Sequence, residues 1–351
     1  MIPDVSVIVV NHRSAAHAVR CAESLRACFS SEGIAGEVLL VDCGSGEEEA
    51  QRLAGAPADL RILLPENRGY SGGVNAGLAR ARAGKLLLSN ADVIYPPGAL
   101  TPLLQAIEEP SVGAAAPLAF WDAGGRVRLA PGFAPGFFRD LAQLASGRWP
   151  HSDARRFASF ARETLVLWER GGKARHLSGA VLAARRDVFD RVGRFDERFP
   201  FEYEETEWED RLRAEGLGLA FVPRARVRHL WARSAAESGE TDRRRALSRS
   251  LYRERRYGRL GRAVLEAMDG ARRASPAPAR LEEPVLPARA GASLALSPNR
   301  SLLPFAAASL AGGFRLPDEI VSALRPGPLY LRVFREEDGW PLETYVWEKP
   351  N

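Results

Sequence analysis

Apolar positions along the chain follow two periods. The run Val5-Ser-Val-Ile-Val-Val10 is nearly continuous and ends at Asn11, which reads as a buried strand. Ser14 stands where it can N-cap a helix, and Val19, Ala22, Leu25 and Phe29 then recur at helical spacing. Glu37–Val41 reads as a second strand ending at Asp42 and Leu60–Leu64 as a third. The spacing predicts a short helix over Asn75–Ala83 and a fourth strand, Lys85–Leu88, that runs into Asn90-Ala-Asp92. Strands alternating with helices predict a parallel sheet covered on both faces. Ligands of such sheets bind beyond the carboxyl ends of the strands, where this chain carries Asn11, Asp42, Asn67 and Asp92.

Later segments are less regular. Ala119–Leu129 reads as a hairpin turning at Asp122–Gly125. Residues 131–175 have weak periodicity and many aromatics, so irregular helices or a mobile loop are expected there. A strand follows at Ala180–Ala184, then helices at Arg186–Val192 and from near Glu204. A basic helix or pair of helices is expected over Arg243–Met268. Residues 273–292, rich in Pro and Ala, read as a linker. Leu329–Phe334 and Leu342–Trp347 flank Glu336–Gly339 as the hairpin of a small β-rich module. The expected organisation is an α/β domain over 1–240, a basic helical extension over 241–272, the linker, and a module over 293–351. Trp340, Tyr345 and Trp347 in that module suit a carbohydrate or partner contact, and equally a plain β core. There is no internal repeat.

Composition narrows the class. With 351 residues and 46% hydrophobic content the chain can bury a sizeable core. No apolar run reaches the roughly 18 residues of a membrane span. The opening residues lack the charged and apolar regions of a secretion signal, so a cytosolic protein is expected. Three cysteines without a CxxC pair argue against a disulfide framework and a structural zinc site. The net charge of +5, with arginines dense between Arg224 and Arg262, suits phosphorylated substrates, anionic membrane or nucleic acid. No nucleic-acid-binding motif accompanies the charge, so no nucleic-acid partner is expected.

Five stretches can carry chemistry. Asp42, at a strand end, can accept a hydrogen bond from a nucleobase or ribose, or satisfy its own turn. The glycines of Asn67-Arg-Gly-Tyr-Ser-Gly-Gly-Val-Asn-Ala-Gly77 let backbone amides approach a diphosphate at the start of a helix. That stretch is neither a P-loop nor a dinucleotide fingerprint. Asp92 can hold a hard divalent cation together with substrate phosphates. In a helix starting near Glu204, Glu205 shares a face with Trp208 and Leu212, which points it inward as a candidate general base. Glu207 and Arg211 then form an i,i+4 pair on another face. His229, in Val227–Ser234, is a candidate metal or phosphate ligand, although a lone histidine is more often structural.

Together and in order, these stretches resemble family 2 inverting glycosyltransferases of the GT-A fold, in particular the rhamnosyltransferase-like branch. The resemblance covers roughly residues 3–260. It rests on Val5–Asn11, Val41-Asp42, Asn67-Arg-Gly69, Asn75-Ala-Gly77, Asn90-Ala-Asp92, Gly193–Glu197, Glu204-Glu205, and His229 with Ser234. It implies an α/β GT-A fold with a mostly parallel central sheet. Asn11 and Asp42 would line the nucleobase pocket, and Asn67, Gly69 and Asn75 would hold the ribose and diphosphate. Asn90-Ala-Asp92 stands at the D-x-D motif, with Asp92 and His229 on a Mg2+ or Mn2+ ion. Glu205 stands where the family's base is usually an Asp. The implied donor is dTDP-L-rhamnose or a UDP-sugar, and the implied acceptor a glycan or lipid-linked glycan of cell-surface polymers. The basic, aromatic Arg249–Tyr257 stretch leaves open a peripheral contact with the inner membrane surface or a helix packing its tyrosines on the domain. The alternatives are a non-catalytic sugar-nucleotide scaffold and a sugar nucleotidyltransferase. The second would want a glycine-rich loop after the first strand, and Asn11–Ser14 has none.

Overall fold

The computed structural model describes residues 2–133, 136–137, 141, 150–231, 239–270 and 278–350. In chain order the first elements are β1 (Val5–Asn11), α1 (Ala15–Glu32), β2 (Gly36–Cys43), α2 (Glu47–Ala54), β3 (Leu60–Leu64), α3 (Gly69–Leu78), β4 (Lys85–Asn90), β5 (Val93–Ile94), α4 (Thr101–Ala106), β6 (Val112–Phe120) and β7 (Arg128–Leu129). There follow α5 (Pro150–Arg170), β8 (Gly172–Ala174), β9 (Val181–Arg185), α6 (Arg186–Val192), α7 (Glu204–Ala214), β10 (Gly218–His229) and α8 (Gly239–Gly270). The last are β11 (Ala279–Leu281), β12 (Val285–Leu286), β13 (Ala292–Ser297), β14 (Ala306–Ser309), β15 (Phe314–Arg315), α9 (Asp318–Ala323), β16 (Gly327–Arg335) and β17 (Pro341–Lys349). They group into two compact units, Met1–Ala119 with Gly171–Tyr252 and Phe120–Arg170 with Arg253–Asn351.

The first unit is a mixed sheet in the order β6-β9-β4-β1-β2-β3. Its centre is parallel: β1 pairs with β2 and with β4, and β2 with β3. Every residue of β1 is buried, as a strand covered on both faces requires. β9 joins β4 antiparallel, and β10 pairs antiparallel with β5 and β8. α1 buries the stripe Ala18, Cys21, Ala22, Leu25, Cys28 and Phe29 against this core. Burial pushes the Cys21 and Cys28 thiols up to about 12, as inert core residues. Ser14 does precede α1, but its hydroxyl donates to Asn11 Oδ1 at 2.8 Å and leaves the helix without a side-chain cap.

The helix expected at Asn75–Ala83 begins six positions earlier, at Gly69. Propensity misleads here because the glycines serve packing. A Cβ at Gly77 would lie 2.4 Å from Ile8 Cγ2, and one at Gly73 2.6 Å from Val10 Cγ1. The missing side chains let α3 lie directly on the sheet.

The second unit gathers an antiparallel run, β17-β16-β13-β14-β7, with β11 parallel to β17. The expected terminal hairpin forms, with Leu329 opposite Trp347, and Trp347 is buried in a plain β core. The hairpin around Asp122 forms too, its carboxylate accepting from the Arg126 and Val127 amides. Three expectations are corrected. Much of the weakly periodic 131–175 segment is the regular helix α5, whose Phe157 ring packs 5.5 Å from Phe305 and Phe334. The 273–292 linker contains β11 and β12, paired with β17 and β15. The boundary between 1–240 and the C-terminal module is not sequential, because residues 120–170 group with 253–351. Aromatic partners more than a hundred residues away decide that placement, and local periodicity carries no trace of them. Among the described residues no helix is long and apolar enough to cross a membrane.

Candidate active site

Parallel register brings the first two candidates together at the carboxyl edge of the sheet. Asn11 on β1 pairs with Asp42 on β2, and Asn11 Nδ2 donates to Asp42 Oδ1 at 2.7 Å. Ser45 adds its hydroxyl to Oδ1 and its amide to Oδ2. Asp42 is therefore oriented rather than free, and Oδ2 keeps room for one further donor. His12 donates from Nδ1 to the Cys43 carbonyl at 2.7 Å, so its Nε2 accepts from Asn67 Nδ2 at 3.2 Å. Asn67 is exposed, and its Oδ1 accepts the Gly69 amide. The left-handed backbone of Gly69 (φ 71) places its Cα where an added Cβ would meet the Pro200 carbonyl at 3.2 Å.

Asn75 has a bracing role. Its Nδ2 donates to the Phe195 carbonyl and to Glu197 Oε1, both at 2.9 Å, so both hydrogens are taken by protein. Glu197 also pairs with Arg68. The Gly193–Glu197 stretch is thus tied to α3, which differs from the expectation that Asn75 faces the donor.

Asp92 follows β4 in the turn into β5. Antiparallel register sets His229 opposite Val93, and the Leu230 amide donates to the Asp92 carbonyl at 3.0 Å. His229 Nε2 consequently lies 3.2 Å from Asp92 Oδ1. Asp92 is 1% exposed, and apart from the His229 ring its carboxylate oxygens meet no hydrogen-bond donor among the described residues. Burial alone would raise its pKa, but the neighbouring His229 charge, with His17, holds it below the usual carboxylate value. A buried carboxylate with unused lone pairs beside an imidazole fits a hard divalent cation. Among the described residues no third His, Cys, Asp or Glu joins them, so such an ion would rely on substrate phosphates and water for its other ligands. Asn90, at the end of β4, is half-buried beside this pair in sequence. Ser234 lies outside the described residues.

The acidic stretch forms α7 at the expected start, Glu204. Two left-handed non-glycine residues, Glu202 (φ 62) and Tyr203 (φ 70), turn the chain sharply into it. Trp208 anchors the helix, stacked 4.7 Å from Phe189 and donating to the Gly193 carbonyl at 2.9 Å. The Glu207–Arg211 pair forms at 2.9 Å. The face argument fails in its details. Glu204, Glu207 and Glu209 are all buried, and Glu205 is the partly exposed one. A helix packed nearly all round has no single inward stripe. The environment nevertheless separates the pair. Burial and the charge of Glu205 hold Glu204 well above the carboxylate range, whereas Glu205 rises to about 7, its burial opposed by the His176 charge. Glu205 thus combines partial exposure with a proton affinity near neutrality, which a candidate general base requires.

Residues that pattern reading passed over complete the surroundings. Tyr70 donates to the Gly179 carbonyl at 2.8 Å, and a Cβ at Gly179 would touch Glu205 Cδ at 3.3 Å. His176 lies 2.6 Å from Glu209 through Nδ1. Tyr70 lies inside the glycine-rich motif, Glu209 inside the acidic stretch, and His176 in no motif.

Comparison with known proteins agrees with this layout. The family described as glycosyltransferase like family 2 matches residues 3–248. N-acetylglucosaminyl-diphospho-decaprenol L-rhamnosyltransferase from two strains of Mycobacterium tuberculosis (CDC 1551 / Oshkosh and ATCC 25618 / H37Rv) is 32% identical over 211 residues, covering 56% of this chain and 67% of that protein. Among solved structures, GalNAc-T7 with UDP, GalNAc and Mn2+ aligns with TM-score 0.47 and 16% identity, covering 74% of this chain and 51% of that one. The mannosyltransferase PcManGT from Pyrobaculum calidifontis with GDP-Man and Mn2+ aligns with TM-score 0.42 and 16% identity, covering 79% and 77%. With a parallel-centred GT-A sheet, the edge residues in order and the family matched over most of its length, the chain belongs to glycosyltransferase family 2, on the rhamnosyltransferase-like branch.

Proposed function

We propose that this glycosyltransferase moves a sugar, with inversion, from dTDP-L-rhamnose or a UDP-sugar to a hydroxyl of a glycan or lipid-linked acceptor in cell-surface polymer synthesis. The observation that carries the reading is Asp92, a buried carboxylate whose approaching donor is the His229 ring, set beside it by strand register at the sheet edge. The mycobacterial relative, named for L-rhamnose transfer to N-acetylglucosaminyl-diphospho-decaprenol, supports the donor and the lipid-linked acceptor class.

Each residue then has a task. Asp42, oriented by Asn11 and Ser45, accepts from the pyrimidine N3–H, which thymine and uracil share. Asn67, Gly69 and the start of α3 line the ribose and diphosphate side, with Asn90 nearby. Asn75 positions the Gly193–Glu197 stretch. A Mg2+ or Mn2+ ion held by Asp92 and His229 would offset the charge that grows on the departing diphosphate. Glu205 takes the proton of the acceptor hydroxyl. That oxygen bonds to the anomeric carbon as the bond to the diphosphate oxygen breaks, and the electron pair leaves with the nucleoside diphosphate. One displacement inverts the centre.

A peripheral contact with the inner membrane surface is part of the reading. In the second unit, α8 breaks at Gly258 (φ 72) and then exposes Leu260 and Val264 next to exposed Arg259, a basic amphipathic face. In the first unit Tyr252 is buried, its ring 5.3 Å from Tyr203 and its hydroxyl on Asp210, so the tyrosine-packing alternative holds for that residue. Sedimentation with phosphatidylglycerol vesicles, lost in Leu260→Glu/Val264→Glu, is the expected result.

The direct test incubates the protein with radiolabelled dTDP-L-rhamnose or UDP-sugars and polyprenyl-diphospho-N-acetylglucosamine, with Mg2+ or Mn2+. A labelled lipid of inverted anomeric configuration is expected. A retained configuration, or no release of nucleoside diphosphate from any donor, would overturn the proposal.

A further inference from the structure

Glu209 is fully buried, one helical turn after Glu205 on the same face of α7. Two carboxylates so placed repel, and nothing in the proton transfer proposed above calls for the second. Its partners give it a purpose. Oε2 accepts from His176 Nδ1 at 2.6 Å, Oε1 accepts the Leu177 amide at 2.8 Å, and Arg213 approaches Oε2 at 3.3 Å. One carboxylate therefore grips both the ring and the backbone of the segment between β8 and β9. Three residues later, Gly179 leaves its side-chain space to Glu205, while Tyr70 holds the Gly179 carbonyl. The segment 176–179 is thus pinned by α7 on one side and α3 on the other, with Glu205 against it.

We infer that His176, clamped by Glu209 one helical turn from Glu205, is a positioning residue for proton transfer: the clamped ring sets the surroundings in which Glu205 takes the proton of the sugar acceptor. The inference rests on the reading of Glu205 as the base and adds to it a residue belonging to none of the matched motifs. It gives the buried Glu209 its role, since the carboxylate fixes Nδ1–H as donor and stabilises the imidazolium.

The charges around Glu205 allow this. Its burial and the carboxylates of Glu209 and Glu202 raise its proton affinity, its charge in turn raises that of Glu204, and Tyr70 faces the Glu204-Glu205 pair as a neutral phenol. His176 is the cation that acts in the opposite direction. His176 in turn is disfavoured as a cation by burial and by Arg213, and favoured by Glu209 and Glu205, with a net upward result. Without the imidazolium, Glu205 would hold its proton to higher pH and the acid limb of the rate profile would move up with it.

The experiment follows the Glu205 carboxyl by infrared difference spectroscopy, wild type minus Glu205→Gln, across about pH 5 to 9. His176→Asn retains a donor toward Glu209 and removes the charge. The midpoint is expected to rise by about one pH unit, a tenfold change in proton affinity. The pH at which nucleoside diphosphate release becomes half-maximal should move by the same amount. If His176→Asn does not fold, the coupling is read in reverse by nitrogen NMR of the His176 ring, whose midpoint should fall in Glu205→Gln by a comparable step, because linkage is reciprocal. An unmoved Glu205 midpoint in folded His176→Asn, or loss of rate equally at every pH, would overturn the inference. So would an unmoved His176 midpoint in Glu205→Gln. Undiminished turnover in Glu205→Gln would instead remove the base reading itself, so the two failures are distinct.

Discussion

Two buried acidic regions of the first unit have opposite electrostatics. At the end of β4, Asp92 has His229 at 3.2 Å and is held below the usual carboxylate value. At the start of α7, burial and the Glu205 charge hold Glu204 toward the neutral form, and burial raises Glu205 to about 7 against the His176 charge. Composition does not separate them, although one lies in a turn between strands and the other in the first turn of a helix. The difference lies in what stands beside each: an imidazole and open lone pairs favour a cation, whereas a desolvated pair favours a proton. The first region is built to hold positive charge and the second to take up hydrogen ions.

Exchanging each function should break the contrast at one end only. Glu205→Gln should lower transfer about 10²–10⁴-fold, while stabilisation by nucleotide and metal persists in thermal shift. Asp92→Ala should lower transfer by about 10²–10³-fold and abolish metal-dependent nucleotide binding as well. Trp208→Ala, which removes the anchor of α7 stacked on Phe189, should cost about 3–5 kcal/mol in denaturant unfolding.

The pH dependence sharpens the contrast. Glu204 and Glu205 bind protons more tightly folded than unfolded. Their contribution to stability therefore declines as pH rises from the unfolded carboxylate value of about 4.3 through about 7 for Glu205. Glu204→Gln should raise Tm at alkaline pH and change it little below the unfolded value, and calorimetry at both ends checks the sign. The smallest effect is expected from Arg211→Lys, about 1 kcal/mol. It loses the fork that joins Glu207 to the Val192 and Arg194 carbonyls.

The parallel core was legible because its strands are continuous apolar runs. Leu60–Leu64 and Arg186–Val192 emerge with the boundaries read from pattern alone. The edge residues were legible because strand ends and motif order mark them. What escaped was set by contacts distant in sequence. The start of α3 depends on glycines fitted to Ile8 and Val10, and α5 on Phe305 and Phe334. Glu205 was singled out on an inward face, yet its accessibility and the His176 charge are what distinguish it from Glu204. His176 and Glu209 have no meaning until the β8–β9 segment is brought against α7.

The central claim is that Asp92 and His229 form a cation site serving a nucleoside diphosphate. The most direct measurement is a thermal-shift titration of wild type and Asp92→Ala with dTDP, UDP, GDP and CMP, each with and without Mn2+. The account predicts that dTDP or UDP raises the wild-type Tm only when Mn2+ is present, and that Asp92→Ala shows no such rise. Equal stabilisation of both proteins, or stabilisation indifferent to Mn2+, would contradict it.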